Sequence, residues 1–454
     1  MTAPIDIDRL EAEIRSALER DETDALRALL AAAYPPDVAD VIDRLDDEDQ
    51  LRVFRLLAPE QAADVLDETS LDATRELISE LTADEAADIL EELDSDDAAA
   101  ILTEDVPERQ QALLAAMDPE DAADVRELLR YPPQSAGRLL NDYFTVVRPE
   151  MTAAQAMDEL RGMVHETAVI VYLYVVEDGG RLVGTLSLRN LLVAPPEQSV
   201  SAIMRPRPIA VAPETDQEEV ARIVARYDLA AVPVIRADGR MIGVVTADDV
   251  IDILVEEGTE DVLRFGGAGA GKPDETYFTV SIVQSVGRRL PWLLLLFVGG
   301  SITANVLGFF ESELEKMVAL TFYVPLLIGT GGNTGAQTVS TLIRALALGE
   351  VRLRDVWRVV GRELVAGLVL GLLLGAVAFG KVLTDGQVFM LAATVSLSVV
   401  AICVWANVIG ALVPLAARRF NVDPALVSAP MITTLVDASG LAIYLFIAGV
   451  LLNL

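Results

Sequence analysis

One acidic side chain lies inside an apolar segment near the end of the chain. The stretch "SAPMITTLVDASGLAIYLFIAGVLLNL" begins at Ser428 and is long enough to cross a bilayer, yet it contains Asp437. A charged group inside a membrane costs at least about 2.5 kcal/mol and generally marks an ion pathway, a proton relay or a ligand site. Thr433 precedes Asp437 by four residues, so both lie on one face of a helix. We therefore take Asp437 and Thr433 as candidate residues of an ion site.

A second group of polar residues interrupts another apolar segment, "VPLLIGTGGNTGAQTVS" (324–340). Asn333 and Gln337 are four residues apart and lie among several glycines, which loosen a helix and free backbone carbonyls. Such carbonyls are tolerated in a membrane only where they face protein or water. Together with an amide and a carboxylate, they are the hard oxygen ligands that favour Mg²⁺ over a soft metal.

Both groups also have a purely structural explanation. Small residues in the 324–340 segment would allow close helix packing, and Asp437 could be a carboxyl group hydrogen-bonded to a neighbouring helix.

Charge and apolar residues are divided between two halves of the 454-residue chain, whose formal net charge is -35. The first 275 residues carry 24 basic and 61 acidic side chains, whereas residues 276–454 carry 11 and 9. So acidic a first half is unsuited to nucleic acid, which requires a positive surface, and is suited to divalent cations. An alternative is that the acidity serves solubility alone. The single cysteine, Cys403, excludes an intrachain disulfide.

Residues 1–130 contain a helical repeat. The similar stretches "VADVIDRL", "AADVLDET", "AADILEEL" and "AADVRELL" begin at positions 38, 62, 86 and 122, which indicates a unit of about 12 residues. Capping residues and prolines precede the expected helix starts, as in "LTADE", "LDSDD" and "MDPED". We predict an all-α superhelical N domain that ends at the break "RYPPQS".

Residues 131–256 contain a duplicated α+β pattern. The stretch "GGRLVGTLSLRNLL" (179–192) matches "DGRMIGVVTADDVI" (238–251), and each half has the order strand, helix, strand, turn, strand, helix. This pattern resembles a tandem pair of cystathionine-β-synthase (CBS) domains, which implies a regulatory module for nucleotides or ions. An acidic connecting helix and a juxtamembrane segment (257–288) then lead to the apolar half.

Five membrane spans are predicted in residues 289–454, at about 289–310, 317–343, 361–383, 387–415 and 427–452. Basic residues lie before the first span, between the second and third, and between the fourth and fifth. The positive-inside rule therefore places the soluble half in the cytoplasm and the C-terminus outside. The charged N-terminus lacks the apolar core of a signal peptide, which agrees with this orientation and predicts a multi-pass protein of the cytoplasmic membrane.

Taken together, these segments resemble the MgtE family of magnesium channels along nearly the whole chain. The most specific stretches are "YVPLLIGTGGNTGAQTVSTLIRALALGE", "ANVIGALVPL" and "VDPALVSAPMITTLVDASGLAIYL". The resemblance implies a homodimer whose second and fifth spans line a pore, with Asp437 and the Thr433 carbonyl at hydrated Mg²⁺. It departs from the family at Ala429, where an asparagine is common.

The resemblance also implies that cytosolic Mg²⁺ closes the pore by bridging acidic domains. Asp64 and Asp96 match in the N domain, Ala100 replaces a further family acid there, and Gly137 offers a carbonyl. The other matching acids, in the second CBS half and on the connecting helix, are Asp216, Glu218, Asp228, Asp249, Asp252, Glu257, Glu260 and Asp261.

ATP is a further candidate ligand, because Tyr172 and Arg189 match a nucleotide site of CBS domains. Asn190 stands there in place of the acid that would hold a ribose.

The sequence therefore predicts a Mg²⁺-selective uptake channel that Mg²⁺ regulates, with membrane lipid as its surroundings. Two alternatives stay open, a proton-coupled exporter of divalent cations and a membrane-anchored Mg²⁺ sensor without flux. An enzyme is not expected, because the sequence has no combination of nucleophile, base and acid.

Overall fold

The computed structural model describes residues 7–103, 106–141, 144–163, 171–269, 280–347, 349–420 and 422–454. The chain forms two compact units, Met1–Glu257 and Gly258–Leu454. The predicted connecting and juxtamembrane segment, 257–288, lies only in part within the described residues, because 270–279 fall outside them.

The first unit begins with ten short helices. They are α1 (Ile7–Glu19), α2 (Thr23–Ala32), α3 (Pro35–Ile42), α4 (Asp47–Phe54), α5 (Pro59–Asp67), α6 (Leu71–Ser79), α7 (Ala83–Leu90), α8 (Ser95–Thr103), α9 (Pro107–Ala116) and α10 (Pro119–Leu128). From α3 onward, each helix begins 12 residues after the one before it, which is the period that the sequence predicts.

Alternate helices of this repeat pack together. The odd-numbered helices α3, α5, α7 and α9 contact one another in succession, and so do α4, α6, α8 and α10. Their apolar faces form a continuous core that includes Ile42, Phe54 and Leu90. Because each helix is too short to be stable alone, this packing supplies most of its stability.

Several helices begin with the prolines or capping residues that the sequence predicts. Four helices have proline in the first turn, where the missing N–H costs nothing. Thr82 and Glu85 form a reciprocal capping box at the start of α7, and the Asp46 side chain accepts the Asp49 N–H. Asp118, by contrast, makes no side-chain cap at α10.

The duplicated region forms two small sheets with helices around them. The first sheet has the order β1-β2-β3-β4, with β1 and β2 parallel and the other neighbours antiparallel, and the second pairs β5 with β6. The strands are β1 (Thr145–Val147), β2 (Tyr172–Glu177), β3 (Arg181–Ser187), β4 (Arg205–Pro206), β5 (Ala231–Ile235) and β6 (Met241–Thr246). The helices are α11 (Ala153–Met163), α12 (Leu188–Val193), α13 (Val200–Ile203), α14 (Gln217–Tyr227) and α15 (Ala247–Phe265).

The predicted duplication is visible in the elements, with one difference. The opening strand of the second half is reduced to an isolated bridge between Val211 and Val234. The strand predicted at 168–177 begins at Tyr172, and its first residues, 168–170, lie outside the described part of the chain.

The second unit is helical. Its long helices are α16 (Ile282–Phe309), α18 (Val324–Ala347), α19 (Val356–Thr384), α20 (Phe389–Arg419) and α21 (Ala429–Leu452), with the short α17 (Glu311–Lys316) between the first two. Short 3₁₀ turns at Val318–Tyr323, Leu353–Asp355 and Pro424–Leu426 precede α18, α19 and α21.

Four of the described helices are long and apolar enough to cross a membrane, at Ile282–Phe309, Leu353–Thr384, Phe389–Arg419 and Ala429–Leu452. Helix α18 is not among them, because glycines and polar residues interrupt its apolar sequence. Four candidate spans are therefore established, and the fifth span stays a prediction.

Glycines let α18 pack closely against α20 and α21. A Cβ atom on Gly331 would lie 2.6 Å from Ile402 Cγ2 and 2.9 Å from Val436 Cγ1. A Cβ on Gly335 would lie 3.0 Å from Ile432 Cγ2. In a membrane, where water does not drive helices together, such close contact is a main source of association.

We expect Gly331→Ala to destabilise the second unit, because the added methyl group forces α18 away from Ile402 and Val436. Overpacking of this kind typically costs about 1–3 kcal/mol. The melting temperature of the full-length protein in detergent, followed by loss of monodisperse protein on size exclusion, measures the effect.

Gly329→Ala is the matched control, because no atom lies within 4 Å of a Cβ at that position. Equal melting temperatures for the two variants would contradict the packing argument.

Candidate ion sites of the membrane and acidic domains

Asp437 lies on α21 and has no protein partner among the described residues. The side chain is half-buried, and within the described residues its carboxylate has neither a hydrogen bond nor an ion pair. Within the described residues, Asp437 therefore forms no hydrogen bond to a neighbouring helix. An unpaired carboxylate among apolar helices needs water, a cation or a proton to be stable.

The glycines of α18 lie directly against this carboxylate. A Cβ on Gly332 would come within 3.3 Å of both Asp437 Oδ1 and Thr433 Cβ. The Thr433 hydroxyl donates to the Pro430 carbonyl at 2.9 Å, one turn earlier on the same helix. The structure therefore brings Asp437 and Thr433 together on one face, as their spacing predicts, and adds Gly332 as the residue that makes room for them.

Asn333 lies on a different face of α18 from the packing glycines. Asn333, Gln337, Ser340 and Thr341 are all exposed in the single chain, at the i, i+4, i+7 and i+8 positions of one helix stripe. Thr334 and Thr338, on the opposite side, are buried. A polar stripe on a membrane helix is costly against lipid, which favours its facing water or protein.

A dense carboxylate cluster forms in the first unit around the start of α8. Oxygen atoms of Asp94, Asp96 and Asp97 all lie within 4.8 Å of one another, as a divalent-cation site requires. Asp96 is 6% exposed, and its Oδ1 atom is buried without a hydrogen-bond partner. Asn141, from the segment leading into the CBS pair, donates to Asp94 Oδ2 at 2.8 Å.

Acids from other elements surround this cluster. Asp67 at the end of α5 shares a hydrogen bond with Asp97, and Asp249 at the start of α15 lies close enough to raise the pKa of both Asp96 and Asp97. Asp249 itself accepts the Thr246 backbone N–H at 3.3 Å and the Thr246 hydroxyl.

The electrostatic consequence is a set of raised pKa values. Burial is the largest cause for Asp67, Asp96, Asp97, Asp249 and Asp252, and neighbouring carboxylates raise these pKa values further. The pKa rises to about 8 for Asp96 and about 6 for Asp249. Burial also raises the pKa of Asp67 and Asp252, helped by Asp248. Among the described residues, each charged neighbour that shifts these pKa values is another carboxylate.

The sequence identified only part of this cluster. Of its predicted members, the structure brings Asp96, Asp249 and Asp252 together, and Asp64 lies near Asp67 on α5. Asp67, Asp94, Asp97 and Asp248 were missed. The available signal for Asp94 and Asp97 was the run "DSDD" at 94–97, of which the sequence analysis singled out only Asp96 as a ligand.

The other predicted ligands lie apart from this cluster. Gly137 donates its N–H to the Pro213 carbonyl at 2.8 Å, and a Cβ there would collide with the Tyr131 ring. Asp216 caps α14 through the Glu218 N–H, Glu218 pairs with Arg222 at 3.1 Å, and Asp228 ends α14 in a left-handed conformation.

The predicted acids on α15 have individual partners. Glu257 accepts from the Gln217 amide at 2.9 Å, Glu260 forms an ion pair with Arg264, and Asp261 is exposed. A further acidic group, Glu91, Asp118 and Asp121, lies in the N domain, but the Glu91 carboxylate already accepts the Asp118 N–H at 2.6 Å.

A cavity of about 230 Å³ lies between the two CBS halves. Tyr172 and Asn190 line it, as predicted, together with Arg205, Arg207 and Ser187, whereas Arg189 is exposed and not part of the lining. The Tyr174 hydroxyl, which also lines it, is buried without a partner. Two aromatic rings and two guanidinium groups suit a nucleotide with its phosphates.

Comparison with known proteins assigns all three regions. Models of the MgtE intracellular N domain, the CBS domain and the MgtE divalent cation transporter match residues 33–134, 136–197 with 200–256, and 324–447. The magnesium transporter MgtE of Thermus thermophilus is 45% identical over 331 residues, which cover 73% of each chain.

The chain belongs to the MgtE family. Magnesium transporter MgtE of Bacillus subtilis is 35% identical over 71% of each chain. The cytosolic domain of the Mg²⁺ channel MgtE in complex with ATP superposes with a TM-score of 0.52 and 38% identity, covering 54% of this chain and 99% of that one. The helical N domain, the CBS pair and the multi-pass membrane region of an MgtE transporter are thus all present.

The raised pKa values predict an unusual pH dependence for the first unit. Because the folded-state pKa values exceed the unfolded value near 3.8, protons stabilise the folded unit, and stability falls as the pH rises from about 4 towards 8. We expect a lower melting temperature at pH 8 than at pH 5.5 in a chelator, and Mg²⁺ should remove most of this difference.

Asp96→Asn should flatten this pH dependence, whereas Asp88→Asn should leave it intact, because Asp88 is exposed on α7 outside the cluster. Calorimetry of the full-length protein measures both. A melting temperature that rises with pH in the chelator would contradict the assignment.

Proposed function

We propose that this MgtE-family chain is a Mg²⁺-selective channel of the cytoplasmic membrane that takes up Mg²⁺ and closes when cytosolic Mg²⁺ is high. The observation that carries the proposal is the Asp437 carboxylate, which has no partner within the described residues and lies against Gly332 of α18. The relatives from Thermus thermophilus and Bacillus subtilis, which match most of the chain, are magnesium transporters.

The active form in this proposal is a homodimer with α18 and α21 facing the two-fold axis. The exposed polar stripe of α18 (Asn333, Gln337, Ser340 and Thr341) supports it, because a second copy would turn this stripe away from lipid and towards a water-filled path. The five spans then comprise α16, α18, α19, α20 and α21, and the C-terminus lies outside.

Two Asp437 carboxylates would meet across the axis. They repel each other when unoccupied, and a divalent ion between them relieves that repulsion. Mg²⁺ releases its water reluctantly, so a carboxylate and the Thr433 carbonyl would recognise the ion through its hydration shell. Permeation is driven by the ion gradient and the membrane potential.

Closure follows from the acidic cluster of the first unit. Asp94, Asp96, Asp97, Asp67 and Asp249 repel one another when compact, and cations that bind the compact arrangement shift the population towards it. The predicted ligands Asp64, Gly137, Asp216, Glu218, Asp228, Asp252, Glu257, Glu260 and Asp261 remain part of this proposal as further bridging positions.

ATP is proposed as a second regulatory ligand in the cavity lined by Tyr172 and Asn190. Support comes from the relative whose cytosolic domain is in complex with ATP. Arg205 and Arg207, rather than Arg189, would then face the phosphates.

Asp437→Asn should reduce Mg²⁺ entry into liposomes by at least about tenfold, or about 1.4 kcal/mol of stabilisation for the ion. The measurement is uptake reported by an enclosed Mg²⁺-sensitive dye, with Mg²⁺ low on the soluble-domain face. Glu311→Gln, which removes an exposed carboxylate on α17, is the control and should keep wild-type flux. Full flux in Asp437→Asn would refute the pore assignment.

Asp96→Asn combined with Asp249→Asn should weaken inhibition by Mg²⁺ on the soluble-domain face while leaving flux at low Mg²⁺ unchanged. A coupling between sites commonly amounts to about 5–150-fold, so half-inhibition should need roughly tenfold more Mg²⁺. Asp88→Asn serves again as the control. Unaltered inhibition in the double variant would count against closure through the acidic cluster.

A further inference from the structure

An ion pair joins the last turn of α15 to the segment that precedes α21. Arg264 Nη1 lies 2.7 Å from Asp423 Oδ2, and the other end of the guanidinium pairs with Glu260 on its own helix. The Arg264 side chain is 30% exposed and that of Asp423 36%, so the pair is partly shielded from water. Such a pair is stronger than one on an open surface.

An apolar contact accompanies the ion pair. Phe265, next to Arg264, packs against a buried cluster that joins α18, α20 and α21. The members of this cluster are Val339, Ala406, Val427, Ile432 and Val436. Val436 directly precedes Asp437 on α21, so the end of α15 contacts a cluster that includes the neighbour of this carboxylate in the sequence.

A third contact ties the residues after α15 to the start of α21. Gly267 has a φ of +69°, and a Cβ there would lie 2.4 Å from the Trp292 ring, so only glycine fits under the indole. The Trp292 N–H donates to Ser428 Oγ at 3.1 Å. Ser428 is fully buried, and its Oγ accepts the Met431 N–H as the N-cap of α21.

These contacts all involve the start of α21 or the segment that leads into it. The residues Arg264, Gly267, Trp292, Asp423 and Ser428, here called the α21 latch, all hold the entry to the helix that carries Thr433 and Asp437. Ser428 and Asp437 are nine residues apart, or about 13 Å along a helix. Contacts at the end of α15 therefore reach the start of the helix that carries Asp437.

We infer that Arg264 and Asp423 are positioning residues that couple the connecting helix to the ion path. The inference rests on the proposed function, since it names the contact through which Mg²⁺ binding by the acidic domains reaches α21. Neither residue touches the permeating ion. With the ion pair intact, a movement of α15 also moves α21. Without the pair, α21 keeps its conducting position whatever cations the acidic domains bind.

The first test is Mg²⁺ flux in liposomes with Arg264→Gln, Asp423→Asn and the exchanged pair R264D/D423R. Each single variant should keep its flux at low Mg²⁺ and need about tenfold more Mg²⁺ on the soluble-domain face for half-inhibition, within the usual range of coupling between sites. The exchanged pair should restore inhibition to within about threefold of wild type.

Arg358→Gln is the matched control, because Arg358 is an exposed arginine on α19. Loss of flux at low Mg²⁺ in both single variants, or no recovery in the exchanged pair, would overturn the coupling role.

The second test does not depend on transport. The chain has three tryptophans, and Trp357→Phe with Trp405→Phe leaves Trp292 as the sole emitter in the latch. Quenching of Trp292 by acrylamide should change when Mg²⁺ is added, and Arg264→Gln should abolish that change. A quenching response that is absent from the parent, or identical in Arg264→Gln, would overturn the inference. Absence of Mg²⁺ inhibition in the unaltered protein would instead contradict the proposed function.

Discussion

The burial of carboxylates away from water is the constraint on which both halves of this molecule depend. In the membrane region the carboxylate is that of Asp437, which has no partner among the described residues. In the first unit it is a cluster built around Asp96, whose charged neighbours are other acids. Burial disfavours the charged form in each case, and only a proton, water or a cation can restore the balance.

Small or neutral groups lie beside these acids, at positions where a basic side chain would neutralise them. Gly332 lies against Asp437, where a larger residue would fill the space. In the acidic cluster, Asn141 and Thr246 supply neutral donors to Asp94 and Asp249. Neutral donors orient a carboxylate but leave its charge available, which is the arrangement that a reversible divalent-cation site needs.

The two sites are far apart in sequence, and α15 is the covalent element between them. Its start bears Asp249, a member of the acidic cluster, and its end bears Arg264 and Phe265, which contact the entry to α21. The proposed regulation needs an element with specific contacts at both ends, and α15 is a 19-residue helix with contacts at its start and at its end. At the C-terminal end of α15, these contacts are those of the α21 latch.

Sequence periodicity alone determined the repeat of the N domain, the duplication in the CBS pair and four of the five expected spans, because each is a local pattern of apolar and polar residues. It also singled out Asp437 and Thr433, since a charge within an apolar segment stands out without any structure. Helix α18 was harder, because its glycines and polar residues lower the apolar signal that identifies a span.

Only the tertiary structure decided which acids meet. Asp67 ends α5, Asp94 and Asp97 lie at the start of α8, and Asp249 lies at the start of α15, so these acids come from three helices that are distant in sequence. The same holds for Arg264 and Asp423, which are 159 residues apart. Local pattern records which face of a helix is apolar, whereas contacts between distant elements depend on packing that no single segment encodes.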